Sequence, residues 1–311
     1  MADTPEVHPP SSVRHPRPVF IAGPTAVGKS EIALRLAEKT GGEIITADSM
    51  QVYRGMDIGT AKPSPAERAR VPHHLVDVCD LNEAFDAAQF VRLAERAVEE
   101  IQSRNKIPVF CGGTGLYFKA FLDGLGEAPA TDPKLRAELE AAPLAELLAE
   151  LRERDPATFE NIDRQNPRRV VRAVEVIRLT GRKFSEQRAE WKSPFPSSPV
   201  LCFTRSPEDL RGRIEARVDE MFRRGLVAET ERLLKCGLAE NKFAMQAIGY
   251  RQVAGHLRGE RGLAETIELV KIKTRQFARR QLTWFRRHGN CEWMELSPAE
   301  VAVATVARLR L

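Results

Sequence analysis

The chain has 311 residues, of which 42% are hydrophobic and 29% charged, and its net charge is +5. That composition is ordinary for a globular protein with a sizeable core, and no apolar run nears the ~18 residues of a membrane span, so no membrane association is expected. Its five cysteines, Cys79, Cys111, Cys202, Cys236 and Cys291, are odd in number, scattered and without a CxxC pair; neither a disulfide framework nor a zinc site is expected, and a reducing cytoplasm fits best.

Five of the 20 prolines fall in the first 18 residues, which lack the apolar segment of a secretory signal. Residues 1–17 therefore read as a disordered tail. The run PVFIA at 18–22 ends in a glycine-rich turn and precedes a helical pattern at Ile32, Leu34, Leu36 and Ala37, which predicts strand, loop and helix. GEIITAD (42–48) predicts a second strand ending on Asp48, and HHLVDV (73–78) a third, with His73 and His74 structural rather than metal ligands. A helix is expected over 87–104, with Phe90, Val91, Ala94, Val98 and Ile101 on one face, followed by a strand at IPVFCGG (107–113). Alternating strands and helices predict a doubly wound α/β fold with a parallel sheet. Ligands in such folds collect beyond the carboxyl ends of the strands, so the loop 23–30, Asp48 and Gly112-Gly113-Thr114 should converge.

From about 132 the texture turns to Ala, Leu and Glu-rich helix. In NPRRVVRAVEVIRLTG, Asn166 suits an N-cap, Pro167 the first turn and Gly181 the residue past the end. Strand pattern returns at PVLCFTR (199–205), and the rest reads as helix to about 288. The expected organisation is a catalytic core of 18–131 and 197–311, interrupted by a helical insertion domain at 132–196.

Gly23, Pro24, Thr25, Ala26, Val27, Gly28, Lys29 and Ser30 spell G-x-x-x-x-G-K-[ST] between a predicted strand and helix, the context this phosphate-binding loop requires. Glycines let N–H groups turn inward, Lys29 adds a point charge, Ser30 is a candidate Mg²⁺ ligand, and the helix start favours anions. The fold is thus expected to be a P-loop NTPase-like parallel sheet core. No N-K-x-D base reader of a GTPase is present. A small-molecule kinase using ATP, with the insertion as its lid, stays open on these grounds, as does a non-catalytic RNA-binding ATPase. Between Glu268 and His288 lie seven Lys/Arg and one acid. On a helical wheel Arg275, Arg279, Arg280, Arg286 and Arg287 share one arc of about 140°, with Phe277, Ala278, Trp284 and Phe285 opposite. Such a stripe without a compensating acid points to a polyanion.

ADSMQVYRGMDIGTAKP (47–63), CGGTGLYFKAFLDGL (111–125), QNPRRVVRAVEVIRLTG (165–181), GYRQV (249–253) and TRQFARRQLTWFR (274–286), together with the phosphate loop, resemble the tRNA dimethylallyltransferase family, in order from about 18 to 288. The resemblance implies Mg²⁺-dependent transfer of a dimethylallyl group from dimethylallyl diphosphate to N6 of adenine 37, beside the anticodon of a tRNA. It implies Asp48 as general base, Thr114 and Arg136 on the developing diphosphate charge, and Lys62 as a further diphosphate contact. It assigns tRNA contacts to Asp48, Ser49, Met50 and Gln51 at the target base, and to Gln165, Asn166, Pro167, Arg168 and Arg169, while the charge stripe itself points Arg275, Arg279 and Arg280 toward tRNA phosphates. Where the family pattern has Tyr-Ser-Ala before the helix at 87, this chain has Phe85-Asp86-Ala87, a change expected at the helix entry rather than in the chemistry. No Cys/His finger pattern follows 288, in keeping with the bacterial form. No protein partner is implied, and a monomer is the default expectation.

Overall fold

The computed structural model describes residues 16–187, 200–288, 291–297 and 302–308. In chain order the elements are β1 (Val19–Ala22), α1 (Lys29–Thr40), β2 (Glu43–Ala47), α2 (Pro65–Arg70), β3 (His73–His74), α3 (Ala87–Ser103), β4 (Pro108–Gly112) and α4 (Gly115–Asp123). There follow α5 (Pro133–Ala141), α6 (Leu144–Arg154), α7 (Pro156–Asn161), α8 (Pro167–Thr180) and α9 (Phe184–Gln187). The chain closes with β5 (Val200–Thr204), α10 (Pro207–Arg223), α11 (Leu226–Lys235), α12 (Tyr250–Leu257), α13 (Leu263–His288), β6 (Cys291–Glu295) and α14 (Ala302–Arg308), with a 3₁₀ turn at Ala244–Gln246.

All six strands run parallel in the order β3-β2-β4-β1-β5-β6, the architecture that the strand–helix alternation predicts. Central strands are mostly apolar because helices cover both faces; every residue of β2 and β4 is buried, Glu43 and Thr46 included. The register sets the site. Ala22, Gly112 and Ala47 stand level at the carboxyl ends of β1, β4 and β2, so the three turns that follow leave the sheet side by side.

Two expectations are corrected. The third strand is only His73–His74, because Leu75 and Asp77 adopt φ of 61° and 57° and end the ladder. Asp77 turns instead to receive Lys62 at 2.6 Å and Arg68 at 2.7 Å. A sixth strand follows α13 where the sequence gave no strand signal: β6 is mostly exposed, so its apolar alternation is weak. The expected tail lies outside the described residues except for its end, where the Pro16 carbonyl accepts from Gln102 at 2.8 Å.

By internal contacts the described residues of Ala120–Pro194 form one compact unit, and those of Met1–Lys119 with Phe195–Leu311 the other. The smaller unit has its own core of Leu139, Leu147, Leu151, Val170, Val174 and Ile177. Its helix α8 starts on Asn166, whose side chain accepts from Arg169 N–H, has Pro167 in the first turn and ends on Gly181 in the left-handed region. The buried Asp155 knots this unit, accepting from the backbone and hydroxyl of both Thr158 and Ser185.

Candidate active site

Between β1 and α1 the phosphate loop folds as its glycines demand. Gly28 caps α1 at φ 108°, a conformation that costs a residue with a Cβ about 1 kcal/mol or more, and Ala26 also takes a positive φ of 64°. Two arginines brace the loop from outside: Arg213 Nε donates to the Ala26 carbonyl at 2.8 Å and Arg205 Nε to the Val27 carbonyl at 2.7 Å. Two of the loop's own N–H groups are engaged within the protein, Val27 with the Pro24 carbonyl and Thr25 with Gln281.

Lys29, Ser30, Thr25, Asp48 and Thr114 line one cavity of about 340 Å³. The expected convergence of the three turns is therefore met. Lys29 Nζ donates to the Pro24 carbonyl at 3.2 Å. Burial lowers its pKa, and Arg217 adds to that while Cys111 and Asp48 oppose it. Asp48 is both a turn cap and a cavity group: its Oδ1 accepts from Met50 N–H at 2.9 Å and from Gln51 N–H at 3.4 Å. Thr114 clamps this turn, its Oγ1 accepting from Ser49 N–H at 3.1 Å and its N–H donating to the Ala47 carbonyl at 3.2 Å. Ser49, Met50 and Gln51 line the cavity beside Asp48, and Val218, Met221, Ile248, Val270 and Phe277 give it an apolar wall.

Lys62 lines the cavity, but its ammonium is held by Asp57 at 2.7 Å, Asp77 at 2.6 Å and the Tyr53 carbonyl at 2.8 Å. It ties down the 57–62 loop rather than offering a charge to a diphosphate. The same loop is fixed from beneath by buried Glu229, which accepts from Ile58 and Gly59 N–H and, at 2.6 Å, from Tyr250 of the GYRQV stretch. Burial, with Glu229 beside it, pushes the Tyr250 phenol well above its usual pKa.

In the smaller unit Arg136 is no free solvated arginine. It pairs with the fully buried Glu175 at 3.0 Å, which also receives Arg172 at 2.7 Å. Gln165, Arg168 and Arg169 are exposed at the start of α8. Burial lowers the pKa of Arg168, and the neighbouring positive charge of Arg136 contributes.

On α13 the uncompensated stripe needs amendment. Arg275 finds Glu215 of α10 at 2.9 Å, Arg280 lies over the Phe277 ring and lines the cavity, and Arg286 lies over Trp293. Arg279 and Arg287 stay exposed. Phe277, expected on the buried side, is cavity wall instead.

Sequence reasoning missed two cavity residues. Arg217 lies beside Asp48 and Arg213, and burial holds its pKa below the arginine norm. The i, i+4 pair Arg213 and Arg217 on one face of a helix was the signal available. Gln281, amid the arginines of α13, is turned inward and only 6% exposed; its spacing of four residues from both Phe277 and Phe285 was the signal available.

A phosphate loop at the switch of a parallel sheet, with an acid and a buried guanidinium across a small cavity, defines an enzyme of the P-loop fold that works on a phosphorylated substrate. Residues 51–288 match the family model described as IPP transferase. The chain belongs to this family. It is 46% identical over 297 residues to a tRNA dimethylallyltransferase of Geobacter sulfurreducens, with 93% of this chain and 95% of that one covered. Among solved structures it resembles a tRNA isopentenylpyrophosphate transferase of Bacillus halodurans (40% identity, TM-score 0.66, 91% and 90% of the two chains). It also resembles a eukaryotic dimethylallyltransferase captured acting on tRNA (30% identity, TM-score 0.73, 90% and 74%). Membership of a prenyl-transferring family displaces the kinase alternative.

Proposed function

We infer that the chain transfers a dimethylallyl group from dimethylallyl diphosphate to N6 of adenine 37 in tRNA. The observation that carries this reading is that Asp48 and the phosphate-loop residues Lys29 and Ser30 line one cavity. The reaction needs that pair. An exocyclic adenine amine is a weak nucleophile because its lone pair is delocalised into the ring. As it attacks C1 of the donor, the C–N bond forms, the C–O bond to the diphosphate breaks with its electron pair, and the surplus proton of the amine passes to Asp48.

Lys29, Arg217 and the start of α1 hold the charge that builds on the leaving diphosphate, the place where fixed donors accelerate most. Thr114 keeps the Asp48 turn in place, and Arg136 is assigned the charge-stabilising role that the family pattern gives it. Among the described residues no cluster of three or more His, Cys, Asp or Glu could cage a metal. The hydroxyl of Ser30, which lines the cavity beside Lys29, nevertheless fits Mg²⁺, which takes as few as one or two protein oxygens and keeps phosphate and water for the rest. When bound, Mg²⁺ neutralises diphosphate charge. Ser49, Met50 and Gln51 are positioned for the target base, which must leave its stack at a cost of a few kcal/mol. The α8 start and the exposed arginines of α13 suit the RNA backbone.

The test is the mass of a tRNA digest after incubation of the protein with dimethylallyl diphosphate and Mg²⁺. One five-carbon unit added to one adenosine is expected. Unmodified tRNA, alongside phosphate transfer from ATP to a small molecule, would return the kinase reading.

A further inference from the structure

A buried polar side chain in the arginine segment of α13, Gln281, bridges two of the three site turns. Gln281 Oε1 accepts from Thr25 N–H of the phosphate loop at 2.9 Å, and its Nε2 donates to the Gly113 carbonyl at 2.9 Å. Both bonds are sheltered from water, since Gln281 is 6% exposed. The position is built for this group: a Cβ at Gly113 would collide with Gln281 Nε2, so glycine is the residue that leaves room for the amide. The immediately preceding residue, Arg280, lines the cavity, and Arg279 before it is exposed.

We propose that Gln281 is a positioning residue that locks the diphosphate loop to the Gly113-Thr114 turn, and through that turn to Asp48, and so couples the RNA-facing helix α13 to the donor cradle. The claim that this lock serves catalysis rests on the prenyl-transfer reading above; the lock itself does not. The reasoning is geometric. Thr114 Oγ1 holds the Ser49 N–H next to Asp48, and Thr25 sits in the loop that would hold the diphosphate. One amide therefore spans from the leaving-group end to the base end. A glutamine suits the position because its carboxamide presents an acceptor and a donor side by side at the end of a long side chain. An unmet buried amide or carbonyl on either turn is costly enough to shift it.

The experiment uses the full chain with Gln281→Met, which keeps length and volume but neither bond, and with Gly113→Ala as an independent route to the same lesion. In prenylation assays Gln281→Met should raise KM for dimethylallyl diphosphate and lower kcat, together about 10–100-fold, the scale on which supporting residues act, with KM for tRNA unchanged. The double variant should be no worse than the poorer single one, since both break one bridge. Amide hydrogen exchange should quicken in residues 23–30 and 113–115 while the global melting temperature holds. A lower melting temperature with kcat and both KM values unaltered would reduce Gln281 to a packing residue and overturn the proposal, as would multiplying effects in the double variant. Should wild-type protein not prenylate tRNA, the functional reading fails on its own, and unchanged exchange in the two turns of Gln281→Met would sink the lock separately.

Discussion

At the scale of single residues, Asp48 illustrates how a structural and a chemical role coincide. Its Oδ1 caps the turn that follows β2, and the turn in turn fixes the carboxylate in the cavity. Replacing it with asparagine keeps the cap, because the amide oxygen still accepts, but removes the proposed base. Asp48→Asn should therefore fold and bind tRNA as before while kcat falls by about 10²–10⁴-fold; unaltered single-turnover rates would remove Asp48 from proton transfer. Arg217, which lies beside Asp48 and lines the same cavity as Lys29, is proposed to receive the leaving diphosphate. Arg217→Gln should lower kcat/KM for the prenyl diphosphate by on the order of 10²-fold, with tRNA affinity retained. Titrating both variants with each substrate separates the two roles. Lys62 teaches the opposite lesson: its charge is consumed by Asp57 and Asp77, a pairing that a sequence position cannot disclose.

At the scale of elements, α13 serves two faces at once. Ala278, Gln281 and Phe285 are buried, while Arg279 and Arg287 face outward, a division that follows from the helical period of 3.6 residues. Arg279→Glu should weaken tRNA binding and reduce the slope of log affinity against log salt by about one, the loss of one phosphate contact. Arg280→Glu should also depress turnover, because Arg280 lines the cavity. An unchanged slope measured for Arg279→Glu by filter binding across a salt series would place the RNA elsewhere. The helix period was readable from the sequence. Which groups Gln281 meets on that inward side was not, because its partners lie 168 and 256 residues away.

For the whole molecule, stability and chemistry sit at opposite ends of the sheet. At the amino end of β2, buried Glu43 gathers His74 of β3 with Arg104 and Lys106 of the turn before β4. Burial alone would raise its pKa, but hydrogen bonds from Arg104, His74 and Lys106 outweigh it and hold the carboxyl at about 2. A carboxyl whose pKa is lower in the folded than in the unfolded chain stabilises the fold above its ordinary pKa near 4.5. That contribution is lost as pH falls from there toward 2. Its size is at most about 3 kcal/mol, reduced by the half-exposed basic partners. Glu43→Gln should thus lower the melting temperature at pH 7 with little effect on turnover, and the gap to wild type should close below pH 3. A gap that persists into strong acid would show that packing, rather than charge, makes the contribution.

The local pattern of the chain was enough to determine the parallel α/β core, the phosphate loop, the caps of α8 and the acid at the end of β2, because each depends on residues within a few positions of one another. Glycine spacing, helical period and strand alternation are short-range properties, and the sequence displays them directly. The bracing of the loop by Arg205 and Arg213, the entry of Arg217 into the cavity, the neutralisation of Lys62 and the bridge made by Gln281 were decided by tertiary structure alone. In each case a polar side chain takes its role from a charge or carbonyl far away in the chain, and only the register of the strands and the packing of α10 and α13 onto them bring the two within hydrogen-bond reach.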